Sequence, residues 1–89
     1  MTITNNHSQS RYELVEDGHT AYADYRANGD VVLINYVFAP PELRGAGTAG
    51  RLMQGVMEDV KAQGLKATPI CGYAASWLKR HAEFSDIVV

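Results

Sequence analysis

A single cysteine, Cys71, excludes an internal disulfide and cannot assemble a zinc site by itself. No apolar run approaches the roughly 20 residues that a membrane-spanning helix needs, so a membrane partner is not expected. Charge of one sign is also scarce. With a formal net charge of −2 the chain lacks the basic surface that phosphate-backbone binding demands, and no nucleic-acid partner is expected. The first ten residues have neither the basic stretch nor the apolar stretch of a secretory signal, and they read as a short disordered tail over 1–10. These absences suit a reducing, cytoplasmic setting.

What is present is enough for one core. Eighty-nine residues leave no room for a second domain, and folding hides roughly 60–65% of the surface of a chain this short. The apolar share of 46% against 20% charged argues for a folded chain, here a single domain over 11–89. The charge is unevenly placed. Residues 1–43 sum to −4 and residues 44–89 to +2, so an anionic ligand meets a friendlier second half.

Hydropathy patterning gives the element order. Tyr12 and Leu14 alternate with charged residues and predict a strand that ends at Asp17-Gly18, a hairpin signal because the favoured turn needs positive φ at both central positions. A second strand covers about His19 to Arg26, and Asn28-Gly29-Asp30 marks another turn. Val31 to Phe38, β-branched and aromatic, is apolar on both faces and reads as a central strand. Ala49, Leu52, Met53, Val56, Met57 and Val60 fall on one helical face, with Arg51, Gln54, Glu58, Asp59 and Lys61 on the other. Gly64 is a C-terminal stop for that helix over Ala49–Gln63, and Gly55 inside it costs about 1 kcal/mol relative to alanine. Lys66–Ile70 reads as a strand that Pro69 confines to an edge. A second helix follows over Tyr73–His81, and Ile87-Val88-Val89 is a candidate last strand. The expected fold is α/β (α+β), a mostly antiparallel sheet of four to five strands in the order β-β-β-α-β-α-(β) with helices packed on it.

Gly45, Gly47 and Gly50 spell the G-x-G-x-x-G of dinucleotide-binding turns. The context does not fit. Five residues, two of them proline, separate Phe38 from Arg44, and the next strand ends at Ile70-Cys71-Gly72 without the acid that would hold a ribose. No Gly-Lys-Ser/Thr follows, as a P-loop would need. A local reading survives. Glycines let an anion approach the backbone, and the opening N–H groups of the following helix point at it unpaired.

The run Arg44-Gly45-Ala46-Gly47-Thr48-Ala49 carries Arg-x-x-Gly-x-Ala, placed after a long strand and a proline-containing loop. It resembles the pyrophosphate-binding segment of the GNAT acetyltransferase superfamily. The resemblance extends over roughly residues 11–89, through Pro40–Gly45, Gly64–Lys66, Pro69–Tyr73 and Trp77–Phe84, and is nearest to the smallest GNAT-like proteins. These resemble a GNAT core without the helices that usually follow the first strand and help to form the acceptor site.

The resemblance implies an acetyl-CoA-dependent N-acetyltransferase acting on an amine of a small molecule or protein, with no metal. A non-catalytic CoA or acyl-CoA-binding module, a sensor or partner subunit, is the alternative. It implies cofactor contacts from Arg44, Gly45, Ala46, Gly47, Thr48 and Ala49, and backbone contacts from the strand near Val37 and Phe38 to the pantetheine arm. The strand at Thr68–Cys71 would splay away and leave a slot for the thioester. Lys79 and Arg80 are within the reach expected of phosphate contacts. Cys71, just before a helix where a thiol's pKa is lowered, is the candidate nucleophile, and Tyr73 the candidate acid for the leaving thiolate. Each has a structural reading beside it, a small apolar residue and an aromatic covering a helix start. His81 reads as a packed histidine, Trp77 and Leu78 as core, and Glu42 as a loop carboxylate that some relatives use as a base. A monomer or weak homodimer is expected.

Overall fold

The computed structural model describes residues 3–89, with five strands lying side by side in chain order. They are β1 (Ile3–Asn6), β2 (Arg11–Glu16), β3 (His19–Asn28), β4 (Val31–Phe38) and β5 (Lys66–Pro69). The first four pair antiparallel in succession, and β5 is parallel to β4 because the helix α1 (Thr48–Ala62) carries the chain back across the sheet. The β2–β3 turn has Asp17 at φ +51° and Gly18 at φ +75°, the pair of positive values that its sequence demands.

Alternation along β2 and β3 buries Tyr12, Leu14, Ala21 and Ala23 on one face, where Val32, Ile34 and Ala67 join them. Onto that face α1 lays Leu52, Met53, Val56, Met57 and Val60, none of which has measurable exposure. A second helix, α2 (Gly72–Lys79), touches α1 and adds Ala74, Trp77 and Leu78 to the same core, which Phe84 and Ile87 complete. Gly64, at φ +72°, closes α1 as a left-handed C-terminal residue.

Four expectations are corrected. The segment 1–10 is not wholly a tail: Ile3–Asn6 forms β1, paired in register with Arg11–Leu14, while Met1 and Thr2 lie outside the described residues. The physical reason is in α1. A Cβ on Gly55 would overlap the side chain of Ile3, so the glycine opens the space into which β1 docks. The second correction is at the other end. The C-terminal segment contributes a 3₁₀ segment, Ala82–Ile87, and an isolated bridge between Val88 and Ala67 rather than a strand, and the strand not anticipated is β1 at the N-terminal side. Third, α2 stops at Lys79 with Arg80 as its cap, and His81 lies beyond it. Fourth, α1 starts at Thr48 and ends at Ala62, and β3 runs on to Asn28.

One irregularity positions the site. Tyr25 faces Ile34 whereas Asp24 faces Tyr36, which makes Asn35 an extra residue, a β-bulge, in β4. After it Val37 faces Ala23 on the core side, and Tyr36 and Phe38 share the opposite face with Tyr22.

Candidate anion-binding cleft

The loop between β4 and α1 starts with a 3₁₀ turn, Pro41–Leu43, whose Pro41 lacks only a donor that a first turn does not use. Leu43 anchors it in the core at 2% exposure. Beyond Arg44 the backbone passes through Gly45 at φ +82° and Gly47 at φ +80°, a region that costs an ordinary residue about 1–2 kcal/mol. Gly47 is the N-cap of α1 and its carbonyl accepts the first helical bond, from Arg51 N–H at 3.1 Å. No side chain caps this helix, so the N–H groups of Thr48, Ala49 and Gly50 are left without a helical partner at the positive end of the dipole.

Those groups border a cleft of about 340 Å³ lined by Ala39, Leu43, Arg44, Gly45, Gly47, Thr48, Ala49, Gly50 and Tyr73. Arg44 is fixed by a hydrogen bond from Nε to the Ala39 carbonyl at 3.0 Å, with its guanidinium 6.0 Å from the Phe38 ring. Tyr73 reaches the cleft from α2, 38% exposed, and a Cβ on Gly50 would lie 4.0 Å from its hydroxyl.

Beside the cleft the sheet divides. The β4–β5 ladder ends at Ile34 opposite Pro69, and the N–H groups of Ile70 and Cys71 both donate to the Ile34 carbonyl, at 2.9 and 3.1 Å. From Asn35 to Phe38, β4 has β3 on one side and, among the described residues, no strand on the other. Proline at the last paired position and the bulge at Asn35 together turn the two strands apart.

Behind the loop Glu16, the last residue of β2, meets the first turn of α1. Its carboxylate accepts from the Thr48 hydroxyl at 2.5 Å and from Arg51 Nε and Nη2, both at 2.7 Å. The hydrogen bonds from Arg51, then that from Thr48, hold the Glu16 carboxyl down at about 2, well below its usual range. The sequence pattern puts Arg51 on the helix face opposite the apolar stripe, and there the structure pairs it with Glu16 while leaving it partly exposed. Helical side chains lean toward the N-terminus, which was a usable signal for Arg51, but nothing local in β2 marks Glu16.

The structure brings Arg44, Gly45, Gly47, Thr48, Ala49 and Tyr73 together around one cleft, with Ala39, Leu43 and Gly50 as additions not anticipated. Ala46 sits in the loop with its N–H on the Leu43 carbonyl at 3.3 Å. Val37 and Phe38 lie on the unpaired part of β4 beyond the division, and Cys71 is the N-cap of α2, half-buried where the strands part. None of these four borders the cleft. Lys79 lines a different one, with Pro69, Leu78 and Val88, at the far end of α2. His81 is stacked on Trp77, ring centroids 3.6 Å apart, with Nδ1 at 2.7 Å from the Trp77 carbonyl. Glu42 is exposed, 4.0 Å from His19. Among the described residues no three His, Cys, Asp or Glu side chains gather as metal ligands, and no helix is long and apolar enough to cross a membrane.

The sequence model of the GCN5-related N-acetyl-transferase family matches residues 11–87. The fold is similar to that of a GCN5-like protein from Staphylococcus aureus determined in solution by NMR, with a TM-score of 0.76 and 21% identity over 99% of this chain and 87% of that one. No curated protein matches the chain.

Proposed function

This chain belongs to the GCN5-related N-acetyltransferase family, and from that premise we propose that it moves an acetyl group from acetyl-CoA to an amine. The observation that carries the reading is the uncapped start of α1, where three unpaired N–H groups and Arg44 face an open cleft. That is a site for the phosphates of a nucleotide-like ligand, and the glycines at 45 and 47 remove the side chains that would keep such a ligand off the backbone. The unpaired edge of β4 beyond Ile34 suits an extended amide-bearing arm, which can hydrogen-bond there as a strand would.

Acetyl-CoA supplies the activated thioester carbonyl. The chain's own residues bind and orient it and manage protons. A nucleophilic amine must be neutral, so its proton passes to water or a base before or during attack. When the carbon–sulfur bond breaks, Tyr73, which lines the cleft, gives its phenolic proton to the departing thiolate. Cys71, at the division of the sheet and the start of α2, is the candidate nucleophile for a route in which its thiolate first accepts the acetyl group. The domain is proposed to work in the cytoplasm, as a monomer or weak dimer.

Calorimetric titration with acetyl-CoA, with NADH as control, tests the site: saturable binding of acetyl-CoA alone is expected. Acetyl transfer to a panel of amines then tests Cys71→Ala and Tyr73→Phe. A loss of transfer of at least tenfold with unchanged affinity supports the chemical roles. Binding without transfer to any amine would leave a CoA-binding module, and no binding would overturn the proposal.

A further inference from the structure

We infer that Arg51, held in place by Glu16, is a second cationic anchor for the phosphates of the ligand at the start of α1. The inference rests on the acetyl-CoA reading of that site and adds a residue to it. Arg51 sits at the first bonded position of α1 and its stem runs back toward the N-terminus. The Glu16 carboxylate takes Nε and Nη2, and Nη2 also lies 3.3 Å from the Thr48 hydroxyl oxygen. Among the described residues Nη1 makes no hydrogen bond. It lies 3.1 Å from where a Cβ on Gly47 would stand, over the backbone that opens the helix. The Arg51 side chain is 42% exposed, so it is not sealed off from a ligand.

Charge makes the arrangement more than a clamp. A carboxylate beside a helix N-terminus competes with any anion for the dipole. Here Glu16 is neutralised by the guanidinium that it orients, and the planar fork leaves one nitrogen pointing elsewhere. Arg44, whose Nε is spent on the Ala39 carbonyl, and Arg51, whose Nη1 is unspent, then flank the same turn of backbone. Two phosphate groups of the ligand fit this chemistry, the diphosphate and the ribose 3′-phosphate.

The test is calorimetric titration of the whole chain with CoA and with 3′-dephospho-CoA at several salt concentrations. Against a Glu16→Gln background, which removes the carboxylate that Arg51→Gln would otherwise leave unpaired, loss of one charge-assisted contact should weaken binding by Arg51→Gln about tenfold or more and flatten its salt dependence. Arg51→Lys, which keeps the charge and the helix, should retain the salt dependence of the unaltered protein. An equal loss for both ligands assigns the diphosphate, and a loss for CoA alone assigns the 3′-phosphate. Unchanged affinity on adding Arg51→Gln to Glu16→Gln, or a loss with unaltered salt dependence, overturns the inference and leaves Arg51 a clamp. Failure of the unaltered protein to bind CoA is a separate result that overturns the acetyl-CoA reading and the anchor with it.

Discussion

The two halves of β4 belong to one strand and stand in opposite situations. Val31–Ile34 is paired on both sides, to β3 and to β5, and Val32 and Ile34 are buried. Asn35–Phe38 is paired only to β3, and Tyr36 is half exposed. The first half is wholly aliphatic and the second combines Asn35 and Val37 with two aromatics, but both are strand-forming and neither composition states how many partners the backbone will have. The first half holds the sheet together; the second leaves backbone unpaired beside the cleft. A strand's residues therefore state that it is a strand, and the number of its partners is settled by a bulge at Asn35 and a proline 34 residues further along the chain.

The largest test of this contrast sets Ile34→Ala against Tyr36→Ala. Removing the fully buried Ile34 side chain should cost about 2–5 kcal/mol in urea unfolding, because transfer and cavity terms add. Tyr36→Ala should cost less than about 1 kcal/mol, as exposed positions do. Similar costs at the two positions would erase the distinction.

A second test acts on the open end of the sheet, where Glu16 ties β2 to α1. Its folded pKa of about 2 lies below the ordinary 4.5, so the stabilisation is complete above the ordinary value and is lost as pH falls toward 2. The urea midpoint of the native protein should therefore fall across that window, and that of Glu16→Gln should fall less. Parallel curves for the two proteins would mean that the clamp does not hold in solution.

The smallest expected change in global stability comes from Gly55→Ala, at the sheet edge remote from the cleft. Alanine gains about 1 kcal/mol of helix propensity, and its methyl displaces Ile3. Net stability should move by less than about 1 kcal/mol while hydrogen-exchange protection is lost from β1 alone. Retained protection there would show that β1 does not depend on the missing side chain.

Much of this architecture was legible before any coordinates. Asp17-Gly18 and Asn28-Gly29 placed the hairpins because positive φ is a property of the residues that occupy them. The apolar stripe from Leu52 to Val60 placed α1, and Gly45 with Gly47 placed the turn that leads into it. β1 was not legible. Ile3 is one apolar residue in a polar segment, and its partner space is made by Gly55, more than fifty residues away. The Glu16–Arg51 pair was hidden for a related reason, since its two members stand 35 positions apart. Lys79 was grouped with the loop as a phosphate contact, and the turn of α2 placed it at another cleft.

The sequence alone determined the local terms: most of the strands and helices, where the chain turns, and that a glycine-containing loop leads into α1. These follow from torsional preference and from periodic burial, which act over a few residues. Only the tertiary structure decided which unpaired backbone stays open, which cations keep a nitrogen to spare and which side of the molecule α2 brings to the cleft. Such properties are differences between what a group offers and what distant neighbours take from it, and they do not exist until the chain has closed on itself.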